Sequence, residues 1–194
     1  MDPALRASFL ERLRRIYAAM DTAYGQAADA YGFVCGGCEE SCCRTRFHHH
    51  TLLEYLCLRE GFGELPTERR EQVRERAAAV AGQHARDLAA GTDTKPMCPL
   101  NEAGRCLLYS HRPMICRLHG IPHELHPPGR APQLGPGCAE FHRCCGRAGY
   151  HPFDRTPLYA ELARCESEFQ QILGPRRKIR MTIAEMLLDD GVLP

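Results

Sequence analysis

Between Thr92 and Pro152 a proline or glycine falls every few residues, most densely at Pro127-Pro128-Gly129 and Gly135-Pro136-Gly137. Proline removes a backbone donor and fixes φ, and glycine raises the entropy lost on ordering. Little of this stretch can therefore form a helix of ordinary length. So long an irregular run inside a compact domain needs something other than a hydrophobic core to hold it. The same stretch carries Cys98, Cys106, Cys116, Cys138, Cys144 and Cys145. Upstream, Cys35-Gly36-Gly37-Cys38-Glu39-Glu40-Ser41-Cys42-Cys43 places four thiols within nine residues. Metal–thiolate crosslinks can order loops of this kind.

The chain has 12 cysteines in 194 residues. Met1-Asp2-Pro3-Ala4-Leu5-Arg6 lacks a basic segment followed by an apolar one, so no secretory signal is expected. In a reducing cytoplasm cysteines serve metals or chemistry rather than disulfides. Cytoplasmic placement and metal binding are thus the joint expectation. The formal net charge of +1 gives no basic excess for nucleic acid. No apolar run reaches the ~18 residues of a membrane span. Nothing in the sequence names a protein or small-molecule partner.

The flanks read as helix, and the fold class expected is mainly α. We expect one domain over residues 1–194. Its cysteine-cluster region, 33–145, is an irregular metal-binding segment that a small helical domain wraps. An N-terminal helix (3–31) and C-terminal helices (157–190) flank it. Asp2-Pro3 is an N-cap and first-turn pair, and Leu5, Phe9, Leu13, Ile16, Met20 and Tyr24 form one apolar stripe. Arg12, Arg14 and Arg15 read as its wet face. Thr51-Leu52-Leu53-Glu54 has the form of a capping box for a short helix that Gly61 and Gly63 should break. A third helix spans 66–90, with Val73, Ala77, Val80, His84 and Leu88 on its buried side. Leu158, Leu162, Cys165, Phe169 and Ile172 mark the stripe of the helix that Gly174-Pro175 stops. Thr182-Ile183-Ala184-Glu185 is a second capping box, for a last helix ending at Gly191. Cys57 and Cys165 sit among apolar residues and read as core. His48, His49 and His50 read as polar linker.

Cys35, Cys38, Cys42, Cys43, Cys98, Cys106, Cys116 and Cys138 are the candidate metal ligands. Eight thiols suit two four-ligand sites, or one cluster with thiols to spare. Cys42 and Cys43 are adjacent, and adjacent side chains in extended chain point apart. They are therefore not expected on the same metal ion. An iron–sulfur cluster, [4Fe–4S] foremost, is the leading cofactor, and zinc is the alternative. Four thiolates leave a doubly negative centre with either one. Arg112 and Arg117, which flank Cys116, are candidates to offset that charge and contact the cofactor. Cys144 and Cys145, beside His142, are weaker ligand candidates. The spacing matches neither the bacterial ferredoxin run nor paired zinc-finger ligands.

At these positions the chain resembles the YkgJ-type cysteine-cluster family, described as a zinc- or iron-chelating domain. The opening block is Cys35, Cys38, Cys42 and Cys43. The second is Cys98-Pro99-Leu100, Gly104-Arg105-Cys106, Tyr109 and Arg112-Pro113-Met114-Ile115-Cys116-Arg117. After Cys116-Arg117 the chain departs from the family pattern, with Leu118-His119-Gly120-Ile121-Pro122-His123, so His119 and His123 either join the site or only replace packing residues. One family branch is similar to flagellin lysine N-methylases, which are associated with an iron–sulfur cluster and S-adenosylmethionine. The resemblance thus implies a metal-binding role and, through that branch, methyl transfer. Three functions compete. One is a redox or cluster-handling protein, the second an iron–sulfur- or zinc-dependent enzyme, and the third a zinc-stabilised interaction module.

Overall fold

Asp2 and Gly32 bracket the longest element, helix α1 (Pro3–Tyr31), in a computed structural model that describes residues 2–35, 42–175 and 177–191. The Asp2 carboxylate accepts from the Ala4 N–H at 2.9 Å, and Gly32 turns left-handed at φ +63° to close the helix. The remaining helices are α2 (Leu52–Glu64), α3 (Thr67–Ala90), α4 (Met114–Leu118), α5 (Ala139–Cys145), α6 (Thr156–Leu173) and α7 (Ile183–Leu188). Helix makes up 59% of the structure and strand 7%. The class is therefore mainly α, as expected.

The strands form two small antiparallel hairpins in the Pro/Gly-rich segment, which the sequence reading left irregular. β1 (Asn101–Glu102) pairs with β2 (Arg105–Cys106), and β3 (His123–Leu125) with β4 (Gln133–Gly135). A left-handed pair, Ala103 at φ +49° and Gly104 at φ +81°, turns the first hairpin.

Helix α1 packs against α2, α4 and α6, and α3 packs against α7. One hydrophobic core joins them. Leu10, Leu13 and Met20 of α1 share it with Leu53 and Leu58 of α2, Phe169 of α6 and Leu187 of α7. Cys57 and Cys165 are buried in it, as expected for small hydrophobes. Arg12 and Arg14 do more than face water. Arg12 reaches Glu168 of α6 at 2.7 Å, and Arg14 pairs with Glu60 of α2.

Several local expectations fail for identifiable reasons. Gly61 does not break α2. It is buried, and a Cβ there would stand 2.5 Å from the His111 ring, so its missing side chain admits a neighbour. Helix α2 ends instead before Leu65-Pro66. The Thr51 capping box is only half made. Thr51 accepts from the Glu54 N–H, but the Glu54 carboxylate turns inward and accepts from the Met114 N–H at 2.7 Å. The Thr182–Glu185 box forms completely, although its helix stops at Leu188 rather than Gly191. Leu88 is 79% exposed and Ile172 58% exposed, because both lie near helix ends that overrun the core.

Candidate metal centre

Five separate places along the chain deliver thiols to one cavity of about 1010 Å³. Cys35 follows the end of α1. Cys42 and Cys43 lie on a single 3₁₀ turn (Cys42–Arg44). Cys98 and Cys106 stand at the base of the first hairpin, and Cys116 lies on α4. Cys138 is the N-cap of α5. These seven line the cavity. Cys38 lies outside the described residues.

Local backbone bonds fix several of these positions. The Cys98 N–H donates to the Cys43 carbonyl at 2.7 Å, which ties the two cysteine blocks together. Asn101 N–H donates to the Cys98 carbonyl at 3.0 Å, and the β1–β2 register sets Asn101 opposite Cys106. Buried Glu54 receives the first amide of α4 and so aims the helix that carries Cys116. Cys138 N–H donates to the Gly120 carbonyl at 2.9 Å, while the Cys138 sulfur accepts from Phe141 N–H at 3.4 Å. Gly120, at φ +123°, leaves space for that sulfur and for the Tyr24 hydroxyl.

The electrostatics of the inner thiols have a common cause. Burial raises Cys116 well above the ordinary thiol range, and charge on Cys98, Cys106 and Cys43 raises it further. Burial pushes Cys98 up to about 12, against the Leu100 N–H, which favours its thiolate, while charge on Cys43 and Cys106 adds to the rise. Cys106 is raised by burial and by Cys43, with the Leu108 N–H acting the other way. Cys42 is raised chiefly by its hydrogen bond to Cys43, then by burial. Without a cation these thiols stay protonated near neutral pH. A metal ion supplies the opposite charge that makes several buried thiolates tolerable.

Arg112 and Arg117 both line the cavity, but protein groups already engage their guanidinium groups. Arg117 donates through Nε to the Arg112 carbonyl at 2.8 Å, pairs with Asp21 and reaches the Ser110 carbonyl. It also lies 4.0 Å over the Tyr17 ring. Arg112 donates to the Tyr109 carbonyl at 2.9 Å, stacks on that ring at 3.5 Å and approaches Asp21 at 3.7 Å. Their positive charge acts on Cys106 and favours its thiolate. Asp21, an exposed residue of α1 that belongs to no motif, anchors both arginines, and no spacing in the sequence marks it.

Of the histidines, His49, His84 and His119 line the cavity, and His123 does not. His49 is not linker. Its backbone pairs with Met181 through bonds of 2.8 and 3.1 Å, and its side chain is buried. Burial lowers it to about 4, so its ring is neutral at physiological pH. Cys144 and Cys145 do not line the cavity. Cys144 Sγ bonds Glu140 at 3.3 Å, and Cys145 Sγ donates to the Tyr31 carbonyl at 3.5 Å.

Cys42 and Cys43 occupy a 3₁₀ turn rather than extended chain. Consecutive side chains there diverge by about 120° instead of opposing each other. Among the described residues, no three Cys, His, Asp or Glu side chains are already close enough to share one metal ion. The donor set nonetheless fits a thiophilic metal, since soft sulfur donors from five places along the chain line one cavity.

No protein-family model matches this chain, and no curated protein or solved structure matches it either.

Proposed function

We propose that this chain is a cysteine-ligated metal protein that carries an iron–sulfur cluster, [4Fe–4S] foremost, and serves a redox or cluster-handling role in the cytoplasm. One observation carries the reading: seven cysteines, far apart in sequence, line a single cavity. Chance burial of thiols would scatter them through the core, as it does Cys57 and Cys165. The likeness to YkgJ-type proteins points the same way through its motif residues. Protein purified without oxygen should be brown, with iron and acid-labile sulfide in equal amounts. Colourless protein that holds only zinc would overturn the cluster and leave a zinc-held module.

A second reading is an iron–sulfur- or zinc-dependent enzyme. The cavity favours it, because about 1010 Å³ reaches the upper end of the ~300–1,000 Å³ typical of small-molecule sites. His119, Arg46 and His84 line it beside the thiols. The methyl-transfer branch of the resemblance makes S-adenosylmethionine the ligand to try. Equilibrium dialysis of the metal-loaded protein would show retention of that nucleoside if this reading holds, and none if the cavity serves the metal alone.

A further inference from the structure

We infer that the thiol-free part of the cavity wall binds a small aromatic carboxylic acid: Arg46 takes the carboxylate, Phe47 and His119 flank the ring, and His49 bonds a polar group at the ring's far end. This deepens the enzyme reading by naming a substrate class. It rests on that reading only in taking the cavity for a small-molecule site.

The charge of Arg46 is not compensated by the protein. Asp21 and Glu140 are the carboxylates that line the cavity among the described residues. Asp21 is held by Arg112 and Arg117, and Glu140 by Arg143. Arg46 is half-buried and lines the same cavity. Its one side-chain bond among the described residues runs from Nη1 to the His84 carbonyl at 3.5 Å, the outer limit of a hydrogen bond. Most donors of its guanidinium are therefore uncommitted, and a planar fork of this kind matches a carboxylate with two parallel bonds. The acids whose charge acts on nearby His84 are Glu185, Asp87 and Asp93, and none of them lines the cavity. The Glu185 carboxylate accepts from the Thr182 N–H at 2.6 Å, and that of Asp87 from Gln83 at 2.8 Å and from the Thr94 N–H at 3.1 Å. Arg105 also lines the cavity but is exposed.

A single cation sets the charge of the ligand. Burial lowers His49, His84 and His119, so their rings are neutral at physiological pH and add no positive charge to this wall. A monoanion balances Arg46, whereas a phosphate dianion leaves a charge unmatched in a half-buried site.

The rest of the wall sets the shape. The rings of Phe47 and His119 both line the cavity and meet edge to face, with centroids 5.3 Å apart and planes at 64°. They offer an aromatic ring the surfaces it packs on best. His49 supplies the second polar contact. Its backbone is fixed by paired bonds to Met181, and it is only 3% exposed. Its Nε2 has no hydrogen-bond partner among the described residues. A buried ring nitrogen left unpaired costs stability, and a hydroxyl on the ligand satisfies it.

The test uses the full chain as purified, with para-hydroxybenzoate as the probe, and calorimetry to follow binding. Metal content is measured on the same samples. Binding should saturate and should shift the His49 ring signal of histidine-labelled protein, a signal identified by its loss in His49→Gln. The uncharged para-hydroxybenzamide should bind at least about 10-fold more weakly, and so should para-hydroxybenzoate to Arg46→Gln. Arg46→Lys, which keeps the charge and loses the fork, should fall between. Benzoate, without the hydroxyl, should also bind more weakly. No saturable binding, or equal binding of the amide, would overturn the site. So would undiminished binding by Arg46→Gln; if that variant misfolds by circular dichroism, Arg46→Lys and the amide decide. Tighter binding of para-hydroxyphenyl phosphate would overturn the choice of a carboxylate, and equal binding of benzoate would remove His49. Binding by protein that holds no metal would leave this site standing while the metal reading falls, and metal without binding would do the reverse.

Discussion

The backbone N–H of Cys98 donates to the carbonyl of Cys43 at 2.7 Å, so the two cysteine blocks are joined by main chain before any metal enters. Helices α2 and α3 intervene between them in sequence, so the bond closes a long excursion of the chain. The core therefore brings the thiols near, and on the proposed reading metal binding would complete the approach. Folding and metal loading are then linked, since a ligand held only by the native state stabilises that state.

Cysteines of the cavity and cysteines of the core should respond differently to substitution. Cys116→Ser should lose metal and much of the fold, because metal-site formation can supply on the order of 10 kcal/mol. Cys57→Ala and Cys165→Ala should keep full metal content and lose on the order of 1 kcal/mol from the small cavity left behind. Metal analysis beside urea unfolding separates the two classes. Metal loss in Cys57→Ala would show that the core and cavity assignments are confused.

The parts legible in the sequence are those fixed by local chemistry. Asp2-Pro3 and Gly32 specify α1, Thr182 and Glu185 specify the start of α7, and the apolar stripes specify which faces meet. What was hidden depends on partners distant in sequence. Gly61 reads as a helix breaker until His111 is seen against it. Glu54 reads as half of a capping box until the amide of Met114 claims its carboxylate. Cysteine spacing identified the ligand candidates. Their grouping, and the place of Tyr24 and His49 beside them, depend on loop geometry that no periodicity encodes.

Glu166 is a case of such distant capping. It lies on α6, is buried, and accepts from the N–H groups of Leu52 and Leu53 at 2.9 and 3.0 Å. It thus satisfies the first amides of α2, a role that Thr51 fills only for Glu54. Glu166→Ala should cost roughly 2–4 kcal/mol, since two buried donors lose their acceptor. Glu166→Gln keeps an acceptor and should cost clearly less. Equal losses in chemical denaturation would mean that packing, not capping, is what Glu166 supplies.

Gly120 should tolerate no side chain. Its φ of +123° is strained for any other residue, and a Cβ would meet the Tyr24 hydroxyl at 2.9 Å. Gly120→Ala should destabilise by roughly 1–3 kcal/mol and displace Cys138. Tyr24 Oη is buried without a hydrogen-bond partner among the described residues, so Tyr24→Phe should be neutral or slightly stabilising. The double variant should recover part of the Gly120→Ala loss, because the clash is gone while the backbone strain remains. Strict additivity of the two single effects would show that the hydroxyl contact is not the cause.

His49 should make the fold acid-sensitive. Burial lowers its native value from 6.5 to about 4, with the charges of His50 and His48 acting in the same direction. Because the native value is depressed, the unfolded chain takes up the proton first as pH falls below 6.5. Stability is therefore fully present above that point and is lost progressively until pH reaches about 4, where the native ring protonates as well. The gap corresponds to about 3 kcal/mol. His48, His84, His119 and His123 are also lowered, each chiefly by burial, and add to the same slope. His49→Gln should then flatten the stability profile between neutral pH and about 4 without abolishing its slope. Urea unfolding across that range checks this. Parallel profiles for the two proteins would mean that the His49 ring gains access to water, and would remove it from the buried wall of the cavity.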